Sequence, residues 1–398
     1  LYFQGPLKLS YTMTEFDDIR PYNDAEVAPT IDRVLADQEL IDAVTRLRFP
    51  RLAGFAPWLL RPIVKRVLRQ QLHGVSSVAQ LQQIVSQYLD SMIERCVDQL
   101  TVSGLDKLDK SKPYLFISNH RDIAMDPAFV NWALNKNGFN TVRIAIGDNL
   151  LTKPYVSDLM RLNKSFIVKR SATSAREKFK ASKHLSAYIH HSIVEEKSSV
   201  WIAQREGRAK DGRDATNTAI ISMVALSRPK TVSFADFIRA SNIVPVSISY
   251  EWDPCDAAKA NELYAHATHG RYEKQEHEDV ASIAAGISGQ KGSVHIAFGD
   301  VLQGDYDSAE DVAAEIDRQV WGRYVLHPSN HLAYQQLQGQ ASTLPVSAGK
   351  EVFVASRYAA QQEELQRRLA AVPEEQRSIL LGIYANPVVS QQRAAGAG

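Results

Sequence analysis

Tyr114-Leu-Phe-Ile-Ser-Asn-His120-Arg-Asp122-Ile-Ala-Met-Asp126-Pro127 is the stretch on which the reading of the chain turns. Tyr114 to Ile117 is a short apolar run, the pattern of a buried strand. It stops at Ser118-Asn119, and His120 follows with two carboxylates, Asp122 and Asp126, close behind. Asp126-Pro127 has the form of a helix start. A carboxylate there meets the first free amides, and a proline's missing N–H costs nothing.

Working outward, apolar and β-branched runs recur at 142–146, 166–168, 200–203, 243–249 and 294–298. Helix-like segments lie between them, at 128–134, 174–196, 216–227 and 234–240. Strand, crossover helix, strand predicts an α/β fold: a mixed, largely parallel sheet covered by helices. Upstream, 77–100 has helical spacing and 102–105 reads as a short strand and turn. Downstream, 253–290 reads as a surface excursion, and 308–322 and 351–371 as surface helices. Residues 390–398, rich in Gln, Ala and Gly, read as a disordered tail. The expected organisation is a tag remnant at 1–12, an N-terminal helical region at 13–100, an α/β domain at 101–305, a C-terminal helical segment at 306–389 and the tail.

The opening Leu1-Tyr-Phe-Gln-Gly5 has the look of a protease-cleavable tag, which makes Met13 the expected native start. Of the 398 residues 44% are hydrophobic and 23% charged, ordinary values for a globular chain. A net charge of +1 offers no global field for nucleic acid. Cys96 and Cys255 are far apart and lack metal-ligand spacing, so neither a disulfide framework nor a metal is expected and a reducing compartment fits best. No apolar run reaches the ~18 residues of a membrane span, and no signal peptide follows Met13.

Charge distribution says more than the total. From Ala43 through Leu89 there is no Asp or Glu, while Arg46, Arg48, Arg51, Arg61, Lys65, Arg66 and Arg69 all fall there. On a helix Leu60, Ile63, Val64, Val67, Leu68 and Leu72 share one face, with the cations opposite and Trp58 and Phe55 leading in. This pattern suits a helix lying in an anionic membrane surface, the expected sites being Trp58, Arg61, Lys65, Arg66 and Arg69. The plainer alternative is a helix packed on the main domain with a solvated basic side.

The chemistry-bearing candidates follow the strands. His120 lies beyond a strand's carboxyl end, where open α/β sheets place functional groups. A neighbouring carboxylate would fix the imidazole's tautomer and leave the other nitrogen free to take a hydroxyl proton, and Asp122 and Asp126 compete for that role. After 200–203 comes Gln204-Arg-Glu-Gly-Arg208-Ala-Lys210-Asp-Gly-Arg213, cations around a permissive glycine, suited to a phosphate or simply to solvent. Ser165 to Arg170 is a strand emptying into two cations, and Val244-Pro-Val-Ser247 an apolar strand beginning with proline.

In order and spacing these four blocks, spanning 114–250, resemble the glycerophospholipid acyltransferase family, whose members acylate glycerol-3-phosphate or 1-acylglycerol-3-phosphate. The resemblance implies that His120 is the catalytic base and that Arg170, Glu206, Gly207 and Arg208 serve the acceptor phosphate, with Pro245 in the fourth block. Five residues separate His120 from Asp126 where the family has four, so the partner is Asp126 after a bulge or Asp122 in its place. Asp-Pro entering a helix fits the family pattern and favours Asp126. Glu206-Gly207-Arg208 lacks the residue usual between glycine and arginine, which brings in Lys210 as an alternative cation.

The function implied is transfer of a fatty acyl group from an acyl thioester to 1-acylglycerol-3-phosphate, forming phosphatidic acid. The donor would be acyl-coenzyme A or acyl-acyl carrier protein as co-substrate, with no resident cofactor. The partners implied are the lipid acceptor, an anionic membrane surface and acyl carrier protein, at the inner face of the cell membrane. Glycerol-3-phosphate or a lyso-aminolipid are alternative acceptors. A lipid ester hydrolase is disfavoured by the lack of a Gly-x-Ser-x-Gly elbow.

Overall fold

The structure, a computed structural model, describes residues 13–49, 52, 54–55, 57–275, 278–347 and 351–396. The tag remnant, Arg51, Ala56, Glu276, His277 and the last two residues of the tail lie outside them. The strands are β1 (Gln99–Ser103), β2 (Leu115–Ser118), β3 (Arg143–Gly147), β4 (Ser165–Val168), β5 (Val200–Ala203), β6 (Ile243–Tyr250) and β7 (Ser293–Phe298). The helices before β5 are α1 (Asp24–Ala36), α2 (Gln38–Arg48), α3 (Pro57–Gln71), α4 (Val78–Cys96), α5 (Met125–Lys136), α6 (Pro154–Leu162) and α7 (Ala175–Val194). Those after it are α8 (Thr218–Val224), α9 (Phe234–Ala240), α10 (Asp256–His269), α11 (Glu278–Ser288), α12 (Ala309–Arg323), α13 (Pro328–Gln338), α14 (Ala359–Ala370) and α15 (Glu374–Gly396). Every apolar run expected as a strand is one, within two residues at either end.

The chain divides into two compact units: 89–142 with 189–398, and 9–88 with 143–188. This division does not follow the expected boundaries at 100 and 305, because 143–188 leaves the α/β region and joins the N-terminal helices.

In the larger unit five strands run in the order β1-β7-β6-β2-β5. β2 pairs in parallel with both β5 and β6, β7 is antiparallel to β6, and β1 is parallel to β7. β2 and β6 are buried along their whole length, which is why both are apolar apart from Ser118, Ser247 and Ser249. Pro245 is the third residue of β6, not its first, and stands opposite Ile117. It is tolerated there because the β7 ladder begins one residue later, at Val246, and the Pro245 carbonyl accepts from the Gly299 N–H. Phe129, Val130, Ala133 and Leu134 of α5 are buried with this sheet.

The segment 253–290 is not a surface excursion. α10 buries Asp256, Lys259 and Ala260, and Ala260 shares an apolar cluster with Trp252, Leu332, Leu381 and Tyr384. α15 carries the chain through 390–396 as helix where a disordered tail was expected. Its apolar residues point in several directions and most are buried, so no single stripe marks it. α12 is no plain surface helix either: Val312, Ile316 and Val320 are buried, and Ser308 and Asp311 form a capping box at its start.

The smaller unit is built on α1, α6 and the β3–β4 parallel pair. Val27, Ile31, Leu35 and Leu162 form its core, with Leu68 and Leu72 of the α3 region packed on them. Asp158 ties α6 to α1, accepting from Arg33 Nε at 2.7 Å and from Tyr22 Oη at 2.7 Å.

Five histidines are buried in the larger unit, among them His295, His327 and His331, at 6%, 3% and 0% exposure. Burial pushes these three down to about 4, about 3 and about 4 respectively. Below about pH 6.5 the unfolded chain takes up protons that the folded chain refuses, so stability is full above that pH and falls as acid is added. Asp317, pushed up to about 6 by burial, and Asp122, also raised by burial, oppose this, while His190, lowered by burial, adds to it. Each histidine is expected to cost roughly 1 kcal/mol at pH 5.5 relative to pH 7.5. Urea unfolding at the two pH values should therefore show a clearly lower midpoint at pH 5.5, and an equal midpoint would contradict the assignment.

Candidate active site

Because β2, β5 and β6 run parallel, their carboxyl ends reach the same edge of the sheet. His120 follows β2, the 204–213 loop follows β5, and Tyr250 ends β6. Asn119 joins two of these ends. Its side chain accepts from the Ile248 N–H at 2.7 Å and donates to the Ile248 carbonyl at 2.9 Å, continuing the β2–β6 ladder by one step.

The two carboxylates divide their work. Asp122 Oδ1 accepts from the amides of Ala124 and Met125 at 3.0 and 2.9 Å, so it caps α5. Asp126, in the first turn of α5, does not cap that turn; its Oδ2 receives His120 Nδ1 at 2.8 Å and the amides of Arg121 and Asp122 at 2.6 and 2.9 Å. Its Oδ1 accepts from Tyr250 Oη at 2.5 Å, and the residue is 0% exposed. Five intervening residues thus close the histidine–aspartate loop without a second partner. His120 is half-buried, its ring edge-on to Trp201 at 5.7 Å, and its Nε2 carries no hydrogen bond among the described residues. Burial, and then the neighbouring Asp126, raise the Asp122 carboxyl; burial and Asp126 raise the Tyr250 phenol well above 10.

A buried ionic frame holds this loop from behind. Arg121 donates to Asp214 through Nε at 3.1 Å and Nη2 at 2.6 Å, and to the Gly212 carbonyl at 3.2 Å. Lys259 donates to the Arg121 carbonyl at 2.7 Å and pairs with Asp253. Gly212 has φ +77°, and a Cβ there would stand 2.2 Å from the Ile383 carbonyl of α15, so glycine is required twice over. Arg121, Asp214, Lys259 and Tyr250 carry no motif that picks them out in the sequence.

The 204–213 loop is joined to the histidine directly, since the Ala209 N–H donates to the His120 carbonyl at 2.7 Å. Gly207 takes φ +73° and faces open space, whereas Glu206 is exposed. Arg208 is half-buried and its guanidinium has no hydrogen bond or ion pair among the described residues. Lys210 is already paired with Glu262 of α10. His120, Asp126, Glu206, Gly207, Arg208 and Lys210 therefore share the larger unit. Arg170 belongs to the smaller one, exposed after β4, its N–H donated to Asp148 Oδ1 at 3.0 Å. No group of three or more His, Cys, Asp or Glu suited to a metal occurs among the described residues. Cys96 and Cys255 are both buried free thiols, Cys255 pushed up to about 11 by burial and Asp253.

Residues 99–249 match the family model described as Acyltransferase. The chain carries an acyltransferase-family domain. A solved structure similar to the chain is the 1-acyl-sn-glycerophosphate (LPA) acyltransferase of Thermotoga maritima. It is 13% identical, covers 71% of this chain and 95% of its own, and has a TM-score of 0.34, a likeness too weak to bear on function. Among curated proteins none matches. This acyltransferase-family domain takes in the histidine loop and the cationic loop and stops one residue before Tyr250.

Replacing Arg121 by Met leaves Asp214 a buried charge without its main partner, which should cost about 3–5 kcal/mol. A second change, Asp214→Leu, should recover part of that loss. Thermal or urea unfolding of the single and double variants checks both; a single variant as stable as the parent would remove the frame's role.

Proposed function

We propose that this protein is an O-acyltransferase that moves a fatty acyl group from an acyl thioester to the free hydroxyl of 1-acylglycerol-3-phosphate. The observation that carries the reading is a histidine with one nitrogen on a buried carboxylate and the other unbonded, hydrogen-bonded through its backbone to a cationic loop. His120 Nε2 removes the acceptor's proton as the oxygen bonds to the thioester carbon. The C–S bond then breaks, and the leaving sulfur takes the proton from the imidazolium. Asp126 holds the imidazole in the Nδ1–H tautomer and faces its positive charge. No covalent acyl-enzyme is required. The acceptor phosphate falls to Arg208, whose guanidinium is uncommitted, rather than to Lys210, which Glu262 already neutralises. Arg170 is a further candidate for that phosphate.

The donor is acyl-coenzyme A or acyl-acyl carrier protein. His120→Ala should lower turnover of an acyl thioester with lysophosphatidic acid by at least about 10²-fold. Arg208→Ala should raise KM for lysophosphatidic acid while leaving a phosphate-free acceptor such as monoacylglycerol unaffected. Equal turnover by His120→Ala would defeat the mechanism.

A membrane surface is the proposed working place. No helix among the described residues is long and apolar enough to cross a membrane. The apolar face expected on α3 is split: Val64 is buried and Leu68 and Leu72 pack inward, but Ile63 and Val67 are about half-exposed, with Trp58 at 72% and Phe55 at 90%. Lys65, Arg66 and Arg69 have no ion pair among the described residues, whereas Arg61 is taken by Asp42 at 2.9 Å. Exposed aromatics beside free cations suit an anionic lipid interface at the inner face of the cell membrane. Trp58→Ser with Ile63→Ser and Val67→Ser should release the protein from phosphatidylglycerol-containing vesicles in a sedimentation assay, with no loss of fold. Undiminished sedimentation would remove α3 from the interface.

A further inference from the structure

Asp126 spends only one of its oxygens on the histidine loop; the other is held by Tyr250, a residue outside the stretch that matches the family model. We propose that Tyr250 is a positioning residue for the His120–Asp126 pair, delivered to it by the strand that carries the fourth sequence block. The proposal rests on the acyl-transfer reading only for its kinetic consequence.

The geometry has little freedom. β6 lies in parallel register with β2, Ser118 opposite Val246. His120 is two residues beyond that pair and Tyr250 four, and Asn119 locks the ladder between them at Ile248. Pro245 and Tyr250 thus sit on one buried strand, the first opposite β2 and the second under the start of α5. The Tyr250 ring packs on Phe129 of α5 at 5.9 Å, so its hydroxyl reaches Asp126 Oδ1 from the side opposite the amides of Arg121 and Asp122.

A phenol in this place does two things. It fixes the carboxylate's rotation, so that Oδ2 faces His120 Nδ1. It also draws charge from the carboxylate, which would otherwise pull harder on the imidazolium proton. A tyrosine whose ionisation is suppressed by burial beside an acid remains a donor across the working pH range. The other charged groups near Tyr250 and Asp126 are committed elsewhere: Asp122 to the α5 amides, Arg121 to Asp214, and Asp253 to Lys259. Removing the Tyr250 hydroxyl therefore alters one contact of Asp126 and none of those pairs.

The test is Tyr250→Phe in the full chain, which keeps the ring on Phe129. With histidine labelled in nitrogen-15, the His120 signal is assigned by its loss in His120→Gln. Its titration midpoint should rise in Tyr250→Phe by on the order of one pH unit, because the carboxylate has lost a charge-dispersing donor. In turnover of acyl thioester with lysophosphatidic acid, kcat should fall about tenfold with KM unchanged, and the rising limb of the pH–rate profile should move up by the same amount. An unchanged midpoint and profile, even with a lowered Tm, would make Tyr250 merely structural and overturn the proposal. A shifted midpoint in a protein that shows no turnover with any thioester would uphold the positioning role while removing the acyl-transfer reading. If Tyr250→Phe fails to fold, 3-fluorotyrosine incorporation keeps the hydroxyl and lowers its pKa; it must then move the His120 midpoint downward, and no movement overturns the proposal.

Discussion

One buried carboxylate, that of Asp126, gathers four donors from two segments: a side chain and two amides of the loop after β2, and the phenol at the end of β6. A fully buried carboxylate without donors would be costly, so the fold must bring all of them to it at once. The parallel register of β2 and β6, the capping of α5 by Asp122, and the Asn119 bridge are the means by which that happens. Catalytic geometry and local stability are here the same set of hydrogen bonds.

The frame behind this loop uses charge rather than packing. Arg121–Asp214 and Lys259–Asp253 are buried pairs, which contribute little net stability but penalise any arrangement that separates them. Their value is specificity of position. They tie the histidine loop to the 204–213 loop and to α10, so the candidate base and the candidate phosphate site move as one body within the larger unit. Arg208, unlike Lys210, is left open among the described residues, beside a glycine that permits close approach.

Much of this was legible in the residues. The β2, β5 and β6 runs were plain because strands buried on both faces are largely apolar, and the order of blocks along 114–250 pointed to an acyltransferase-family domain. The preference for Asp126 over Asp122 rested on Asp-Pro entering a helix and on the resemblance, since both lie within reach of an imidazole and only the path of the loop separates capping from pairing. Tyr250 and Lys259 were invisible for a different reason: each is distant in sequence from the group it serves, and neither carries a local pattern. α10 and α15 were misjudged because a helix buried on several sides lacks the single stripe that periodicity detects, and because paired charges such as Asp256–Arg368 resemble surface charges on paper.

The close approach of Gly212 to the Ile383 carbonyl has a bearing on modularity. The loop that accepts Arg121, and through it the histidine, is shaped against a helix more than a hundred residues past the end of the family match. The stretch that matches the family and the stretch that shapes its loops are therefore different lengths of chain. The matched blocks supply the candidate reacting groups, and a wall outside the match shapes the loop beside them. Grafting the former onto a foreign C-terminal half would carry over the chemistry without its mould.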